Sequence, residues 1–178
     1  ETDSSSAGIA FFSDLSEGSQ INNNTILSII GLQGETSAYG IVASDVSSAS
    51  RGSIDNNQFG LNDAGKRFLS DSNAYGISVG FLAPTGSISN NQYNGHIESA
   101  SPTGSAVGIH VREMLSGKID NNVFGSVKTN TAPIIKGGGQ LAAILVNTSI
   151  CCGSGSINDN QILSPLNGDG DVSGIAVA

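Results

Sequence analysis

Apolar and polar positions follow one short phrase that recurs along the whole chain. In "GSIDNNQFG", residues 52–60, an isoleucine is followed by a polar residue, two amides and, one residue later, a large apolar side chain. Related phrases are "GSQINNNTI", "GSISNNQYNG", "GKIDNNVFG" and "GSINDNQIL". The steps between copies are 33, 34, 31 and 38 residues, measured on the second amide: Asn24, Asn57, Asn91, Asn122 and Asn160. A repeat of this length is typical of solenoids.

A second apolar phrase lies between the copies of the first. Its copies are "AGIAF" at 7–11, "YGIVA" at 39–43, "YGISV" at 75–79, "VGIHV" at 107–111, "AAILV" at 142–146 and "SGIAV" at 173–177. A small residue precedes isoleucine in each copy. The alternation that follows has the period of a strand and is too short for an amphipathic helix. Two phrases that share one period of roughly 34 residues predict a repeat built from strands.

Three short strands are predicted in each repeat, and the Gly-Ile phrase is the first. The second centres on Ile21, Ile54, Ile88, Ile119 and Ile157. The third runs from Ile26, Phe59, Tyr93, Phe124 and Ile162 towards Ile29, Leu61, Ile97, Val127 and Leu166. Because asparagine tolerates the left-handed backbone region, the amide pair predicts a corner between the second strand and the third.

Stacking of each strand on its counterpart one repeat later predicts an all-β chain. We expect one parallel β-helix over residues 1–178, with about five turns of roughly 34 residues. The isoleucines of the second strand should point inward, and the residue after each should point to solvent. A buried amide is costly unless it is paired. The second amides should therefore form an interior ladder at the ~4.8 Å spacing of neighbouring strands.

The chain resembles the right-handed parallel β-helix proteins of the pectin-lyase-like family. The stretches that carry the resemblance are "YGIVASDVSSASRGSIDNNQF" and "VGIHVREMLSGKIDNNVF", which follow that family's recurring pattern. The similarity covers nearly the whole chain and points to the bacterial surface and adhesin passenger kind. It implies a right-handed coil. It does not select a function, because this scaffold hosts polysaccharide lyases, glycosidases, phage tailspikes and adhesins.

Charge and hydropathy argue against two classes of partner. The chain has 15 acidic and 7 scattered basic side chains, for a net charge of -8. Nucleic-acid binding relies on clustered lysine and arginine, so no nucleic acid is expected as a partner. No apolar run approaches the ~20 residues of a membrane-spanning helix, so this segment is not expected to insert into a membrane.

The two ends of the chain show the same strand of the repeat, and neither shows a helix or a polar cap. Uncapped solenoid ends present unpaired strand edges. Two alternatives follow: a segment of a longer β-helix, or a subunit that associates head to tail into a filament. The opening residues "ETDSSSAGIA" do not have the character of a secretory signal peptide.

Two acidic residues are weak catalytic candidates. Asp55 and Asp120 are expected at the same outward position two turns apart, a separation of roughly 9–10 Å that is close to the carboxylate spacing of inverting glycosidases. The alternative is a solvated polar column in which Ser89 lies between them. Nothing apolar nearby is expected to raise either pKa as general-acid catalysis requires, so the polar column is the preferred interpretation.

His110 is expected to point outward, in a column that also contains Ser78 and Leu145 and offers no carboxylate. It is interpreted as a surface histidine; Arg112 and Glu113 follow it, and His96 should lie on another wall.

Lyases of the resembled family combine a calcium-binding carboxylate cluster with a basic residue. Asp14, Asp45 and Glu113 have unequal offsets from the Gly-Ile step. They do not reproduce that cluster, which counts against a lyase.

A calcium ion is the single cofactor with any support, and no cofactor is the preferred expectation. Asn167, Asp169 and Asp171 stand at alternate positions in "NGDGDVSG" and offer the oxygen ligands that calcium prefers. Asp-Gly pairs are also ordinary turn formers.

Cys151 and Cys152 are adjacent and have no distant cysteine to pair with. Two thiols are preferred over a vicinal or intermolecular disulfide.

Segments 62–73, 98–106 and 128–139 are predicted to be variable loops that emerge along one side of the solenoid. Loops on a rigid scaffold are where solenoids carry recognition. The candidate binding residues in them are Lys66, Arg67, Phe68, Lys128 and Lys136. We therefore expect an extracellular or cell-surface structural or binding protein, with a carbohydrate or a surface protein as ligand. The alternative is a polysaccharide-active lyase or glycoside hydrolase.

Overall fold

A computed structural model of the chain describes residues 5–11, 15–27, 29–30, 37–43, 51–60, 67–125, 135–149, 155–163 and 165–178. These residues form 21 β-strands, numbered in chain order, and contain no helix. The strands belong to four parallel sheets, which we name A to D. The all-β prediction is confirmed.

Each sheet collects one strand from every repeat. Sheet A consists of β1 (Ser5–Phe11), β5 (Ser37–Ala43), β9 (Asn73–Leu82), β13 (Ala106–Met114), β17 (Leu141–Ser149) and β21 (Val172–Val177). Sheet B consists of β2 (Gln20–Asn22), β6 (Ser53–Asp55), β10 (Ser87–Ser89), β14 (Lys118–Asp120) and β18 (Ser156–Asn158). Sheet C consists of β3 (Thr25–Ile26), β7 (Gln58–Phe59), β11 (Gln92–Tyr93), β15 (Val123–Phe124) and β19 (Gln161–Ile162). Sheet D consists of β4 (Ile29–Ile30), β8 (Arg67–Ser70), β12 (His96–Ser99), β16 (Ile135–Lys136) and β20 (Leu166–Asn167).

The chain visits sheets A, B, C and D in that order and then begins again. One passage through the four sheets is called a rung here. Consecutive rungs pair in parallel, so the chain is a β-solenoid of about four turns with ~33 residues in each turn. The sequence predicted about five turns of roughly 34 residues; sheets B, C and D each stack five strands, and sheet A stacks six.

The predicted third strand is in fact two strands, so each rung has four. The chain turns between sheets C and D, and a glycine with positive φ follows sheet C in two rungs: Gly60 at 71° and Gly125 at 102°. Ile97 pairs with Phe68 on one side and with Ile135 on the other. The prediction that Leu61 and Val127 are its counterparts is wrong; both lie outside the described residues.

Sheet B has the predicted register. Ile54 is paired with Ile21 and with Ile88, and the column continues through Ile119 to Ile157. The first four of these isoleucines are at most 4% exposed. The residue after each isoleucine is less buried than the isoleucine itself. The alternation of apolar and polar residues therefore determines which side chains face the interior.

The first amide of each pair turns the corner between sheets B and C. Non-glycine residues rarely adopt positive φ, and asparagine and aspartate do so at the lowest cost. All five corners have such a residue with φ between 54° and 58°: Asn23, Asn56, Asn90, Asn121 and Asp159. The predicted corner is confirmed, and Asp159 shows that aspartate is tolerated at it.

The second amide of each pair points inward and forms a continuous hydrogen-bonded ladder. Nδ2 of Asn57 donates to Oδ1 of Asn91 at 3.0 Å, and the other steps join Asn24 to Asn57, Asn91 to Asn122 and Asn122 to Asn160 at 2.9–3.0 Å. Each accepting Oδ1 also takes a backbone N–H from the preceding rung. Nδ2 donates again to a carbonyl of the preceding rung in four of the five amides. The three middle amides are 0% exposed, and their polar atoms are satisfied as burial requires.

Aromatic rings fill the interior beside the ladder and explain the glycine of the Gly-Ile phrase. Phe59, Tyr93 and Phe124 are stacked with ring centroids 4.6 and 4.5 Å apart and interplanar angles of 7° and 11°. A Cβ on Gly108 would clash with the ring of Phe124. The fifth rung has Ala143 in place of this glycine, and there the sheet C residue is the smaller Ile162. The small residue of sheet A therefore makes room for the ring of sheet C.

Removal of one ladder amide should destabilise the protein strongly. In Asn91→Ala, the backbone N–H and the Nδ2 of Asn57 lose their shared acceptor. Because unsatisfied buried groups each cost about 1–3 kcal/mol, we expect the free energy of unfolding to fall by at least about 2 kcal/mol. Urea unfolding followed by circular dichroism measures it. The control Asn158→Ala removes an exposed amide and should change stability by less than about 0.5 kcal/mol. Equal effects of the two substitutions would contradict the ladder's role.

Tyr93→Phe should stabilise the protein. Tyr93 is 2% exposed, and among the described residues its hydroxyl has no hydrogen-bond partner. Burial raises its pKa well above the ordinary value of 10.0. Both stacked neighbours are phenylalanine, so the substitution retains the ring and removes the unpaired group. We expect a gain of about 1–2 kcal/mol in the free energy of unfolding. Tyr39→Phe, at a half-buried position, is the control with little effect, and a loss of stability in Tyr93→Phe would refute the prediction.

Candidate functional site

The turns that follow sheet D enclose a groove on one side of the solenoid. Three consecutive rungs contribute to it, through residues 98–102, 136–138 and 167–169, and its volume is about 430 Å³. This volume is within the range of small-molecule sites in proteins. We call this feature the sheet D groove.

Three glycines that line the sheet D groove stack closely on neighbouring backbone and are called its floor here: Gly137, Gly138 and Gly168. A Cβ on Gly138 would clash with the carbonyl group of Pro102, and one on Gly168 would clash with the carbonyl oxygen of Gly137. Glycine is therefore required at both positions by the approach of one turn to the next. A ligand in the groove would meet peptide groups at the floor and side chains at the rim.

Charged and amide side chains line the rim at successive rungs. Glu98 is aligned with Lys136, and Lys136 with Asn167. Lys136 Nζ lies 3.3 Å from Glu98 Oε1, and their side chains are 56% and 23% exposed. Such a half-exposed ion pair contributes little to stability. With Asp169, the groove has two carboxylates and one ammonium group, a formal charge of -1 from these three side chains.

The structure brings together some of the predicted binding and metal residues. Lys136, Asn167 and Asp169 all line the sheet D groove. Lys136 is on strand β16, and Arg67 and Phe68 are on strand β8, so the prediction that these three lie in loops is wrong. Lys66 and Lys128 lie outside the described residues, as do Asp14, Asp45, Cys151 and Cys152.

Two of the predicted calcium ligands, Asn167 and Asp169, line the groove, and the third does not. Asp171 does not line the groove, and its backbone carbonyl accepts the N–H of Leu141 at 2.8 Å. Among the described residues no group of three or more histidine, cysteine, aspartate or glutamate side chains could hold a metal ion.

Sequence reasoning placed Glu98, Ser99 and Ser101 in the candidate recognition segment 98–106 but did not single them out as site residues. A signal was available, because the small-residue stretches "SASPTG", "KGGG" and "NGDG" stand at the same point of three successive repeats. Small residues at one point of the repeat indicate turns that approach each other closely.

Asp55 and Asp120 occupy the predicted outward column of sheet B, two rungs apart with Ser89 between them. Each carboxylate accepts hydrogen bonds from the next rung. Asp55 Oδ1 accepts the backbone N–H of Ser89 at 3.1 Å, and Asp120 Oδ1 accepts that of Asn158 at 3.0 Å. Both side chains therefore link neighbouring rungs.

His110 lies on the outer side of sheet A, in the predicted column with Ser78 and Leu145. It is half-buried, and both column neighbours are buried, so it is not the surface histidine that was expected. Its Nδ1 is 3.2 Å from Ser78 Oγ, and its ring stacks on Tyr75 with a centroid distance of 5.2 Å. A serine next to a histidine is the geometry of an activated nucleophile. Burial, and secondly Arg112, lower the pKa of His110 from 6.5 to about 4, so the imidazole is a weak base. His96 is on sheet D, a different wall, as predicted.

Comparison of the chain with protein-family models, with curated proteins and with solved structures gave no match. The parallel β-solenoid implied by the sequence resemblance is shown by the structure, whereas pectin-lyase-like membership has no support from these comparisons. The part of the chain that the structure describes has no helix with the length and hydropathy that a membrane crossing requires.

His110 should make the stability depend on pH. Its folded pKa of about 4 is below the ordinary 6.5, so between these values the unfolded chain binds a proton that the folded chain does not. The contribution of His110 is therefore present above pH 6.5 and is lost as the pH falls towards 4, by about 2 kcal/mol at pH 5. Urea unfolding at pH 7 and pH 5 should show a smaller loss for His110→Gln than for the unchanged chain. The same loss in both proteins would exclude this contribution.

Proposed function

We propose that the chain is a binding solenoid of the extracellular or cell-surface kind, such as an adhesin segment, and that the sheet D groove recognises a carbohydrate. The observation that carries the proposal is the groove itself, in which three rungs present hydrogen-bonding side chains above a backbone floor. A hydroxyl-rich ligand needs both donors and acceptors. The rim has acceptors in Glu98 and Asp169, a donor in Lys136 and both kinds in Asn167.

The charge of the groove favours a neutral or amino-substituted glycan over a polyanionic one. Two carboxylates and one ammonium group line it, and the whole chain has a net charge of -8. A polyuronate would be repelled by the overall field and would find one cation in the groove, already 3.3 Å from Glu98. A neutral sugar does not meet this repulsion.

The regularity of the solenoid supports a role in recognition. Rim residues Glu98, Lys136 and Asn167 are paired from strand to strand, so their backbone positions are fixed at the ~4.8 Å rung spacing. Binding costs less conformational entropy when the contacting groups are already held in place. A ligand with repeating units is suited to such a row of contacts.

The alternative function, a polysaccharide lyase or glycoside hydrolase, has weaker support. Its candidates Asp55 and Asp120 each bond to the backbone of the next rung, which gives them a structural role. Turnover of a polysaccharide that is lost in Asp55→Asn or Asp120→Asn would favour this alternative over a binding role.

Substitution of the groove rim should weaken glycan binding. A screen of immobilised neutral, amino-substituted and acidic glycans identifies a ligand, and calorimetry measures its Kd. We expect binding among the first two classes and a Kd increase of about tenfold or more in Lys136→Ala, because a hydrogen bond to a charged group is worth about 1.5–3 kcal/mol. Lys118→Ala, which removes an exposed lysine from sheet B, is the matched control and should leave the Kd unchanged.

Two results would contradict the proposal. One is the absence of binding to every neutral and amino-substituted glycan in the screen. The other is equal weakening by Lys118→Ala and Lys136→Ala, which would indicate a general effect of charge and not contact in the groove.

A further inference from the structure

Two Asn-Gly steps occur in the described part of the chain, and the same deamidation reaction is possible at both. The backbone nitrogen of the glycine can attack Cγ of the asparagine side chain, which closes a succinimide ring and expels ammonia. Water then opens the ring and leaves either aspartate or isoaspartate. Glycine permits this reaction best because it has no side chain to hinder the ring. The two steps are Asn94–Gly95 and Asn167–Gly168.

The fold protects the first Asn-Gly step, Asn94–Gly95. The N–H groups of Asn94 and Gly95 both donate to the carbonyl oxygen of Phe59, at 2.7 and 3.1 Å. Gly95 is buried, and the turn packs against Gly60, on which a Cβ would lie 2.5 Å from the Gly95 nitrogen. The nitrogen that would attack is therefore held in a hydrogen bond, and the ring has no space in which to close.

The second Asn-Gly step, Asn167–Gly168, lacks the hydrogen bond that holds Gly95, and its glycine is packed on one side against the carbonyl oxygen of Gly137. Asn167 and Gly168 are both exposed residues. Among the described residues, none accepts a backbone hydrogen bond from the Gly168 amide of the kind that holds Gly95. The two residues belong to the rim and floor of the sheet D groove, which is open to the water that the second stage of the reaction requires.

We propose that Asn167 is a site of spontaneous deamidation and that this reaction changes the charge of the sheet D groove. Asn167 is the strand partner of Lys136. An aspartate there would compete with Glu98 for the Lys136 ammonium group and would change the formal charge of the rim from -1 to -2. The isoaspartate product would also lengthen the main chain between residues 167 and 168, where Gly168 is stacked against Gly137.

Peptide mapping by mass spectrometry tests the proposal without any glycan. The folded chain is incubated at mildly alkaline pH, and the replacement of the amide by a carboxyl group is followed at both sites. Because local opening of the protected site must precede reaction there, we expect conversion at Asn167 to be faster than at Asn94 by about tenfold or more. Native isoelectric focusing should show a new, more acidic band that is absent in Asn167→Gln.

The same chain unfolded in urea is the control for intrinsic reactivity. Both sites should convert at comparable rates there, because the difference between them arises from the fold. Conversion of Asn94 at the rate of Asn167 in the folded chain would overturn the proposal. Conversion of neither site in the folded chain, while the unfolded chain converts both, would overturn it as well. Neither outcome depends on whether the groove binds a carbohydrate.

Discussion

The hydrogen bond from one buried asparagine to the next is the interaction on which the rest of the structure depends. A chain that turns a corner in every rung leaves backbone groups that the flat parts of a sheet cannot satisfy. The ladder amide solves this at each level, because Oδ1 accepts a side-chain N–H and a backbone N–H from the preceding rung. All of these hydrogen bonds point in the same direction along the solenoid axis, so each rung specifies the position of the next.

The ladder also explains why the remaining interior is filled by columns of similar residues. Once rungs are in register, each inward position meets its own counterpart above and below, and a change of size in one column must be balanced in another. The stack of Phe59, Tyr93 and Phe124 requires glycine opposite each ring. In the fifth rung the side chain of sheet C is the smaller Ile162, which leaves room for the Cβ of Ala143. Tyr93 is an exception in this core, because its hydroxyl group is buried within an otherwise apolar column. Core packing and the ladder therefore reinforce one register.

The sequence was sufficient for the features that repeat. The spacing of Ile54 and Asn57 and of their copies predicted the strand register of sheet B, the corner and the ladder. It was insufficient for sheet D, because the number of residues between the strand of sheet C and the strand of sheet D changes from rung to rung. Phe59 and Phe68 are nine residues apart, whereas Tyr93 and Ile97 are four apart. Leu61 is as apolar as Phe68, and hydropathy alone cannot tell which of the two pairs with Ile97 after an insertion.

A second irregularity, in the turns that follow sheet D, explains where a binding site can arise on this scaffold. On the regular walls, polar side chains such as Asp55 and Asp120 are used in bonds between rungs, and His110 is held against Tyr75 and Ser78. A ligand would have to compete with these contacts. After sheet D the repeat length varies and the turns are made of small residues, so backbone and rim side chains face a space that no neighbouring rung fills. Recognition is therefore favoured where the repeat is least regular, because the polar groups there line an open groove on a rigid scaffold.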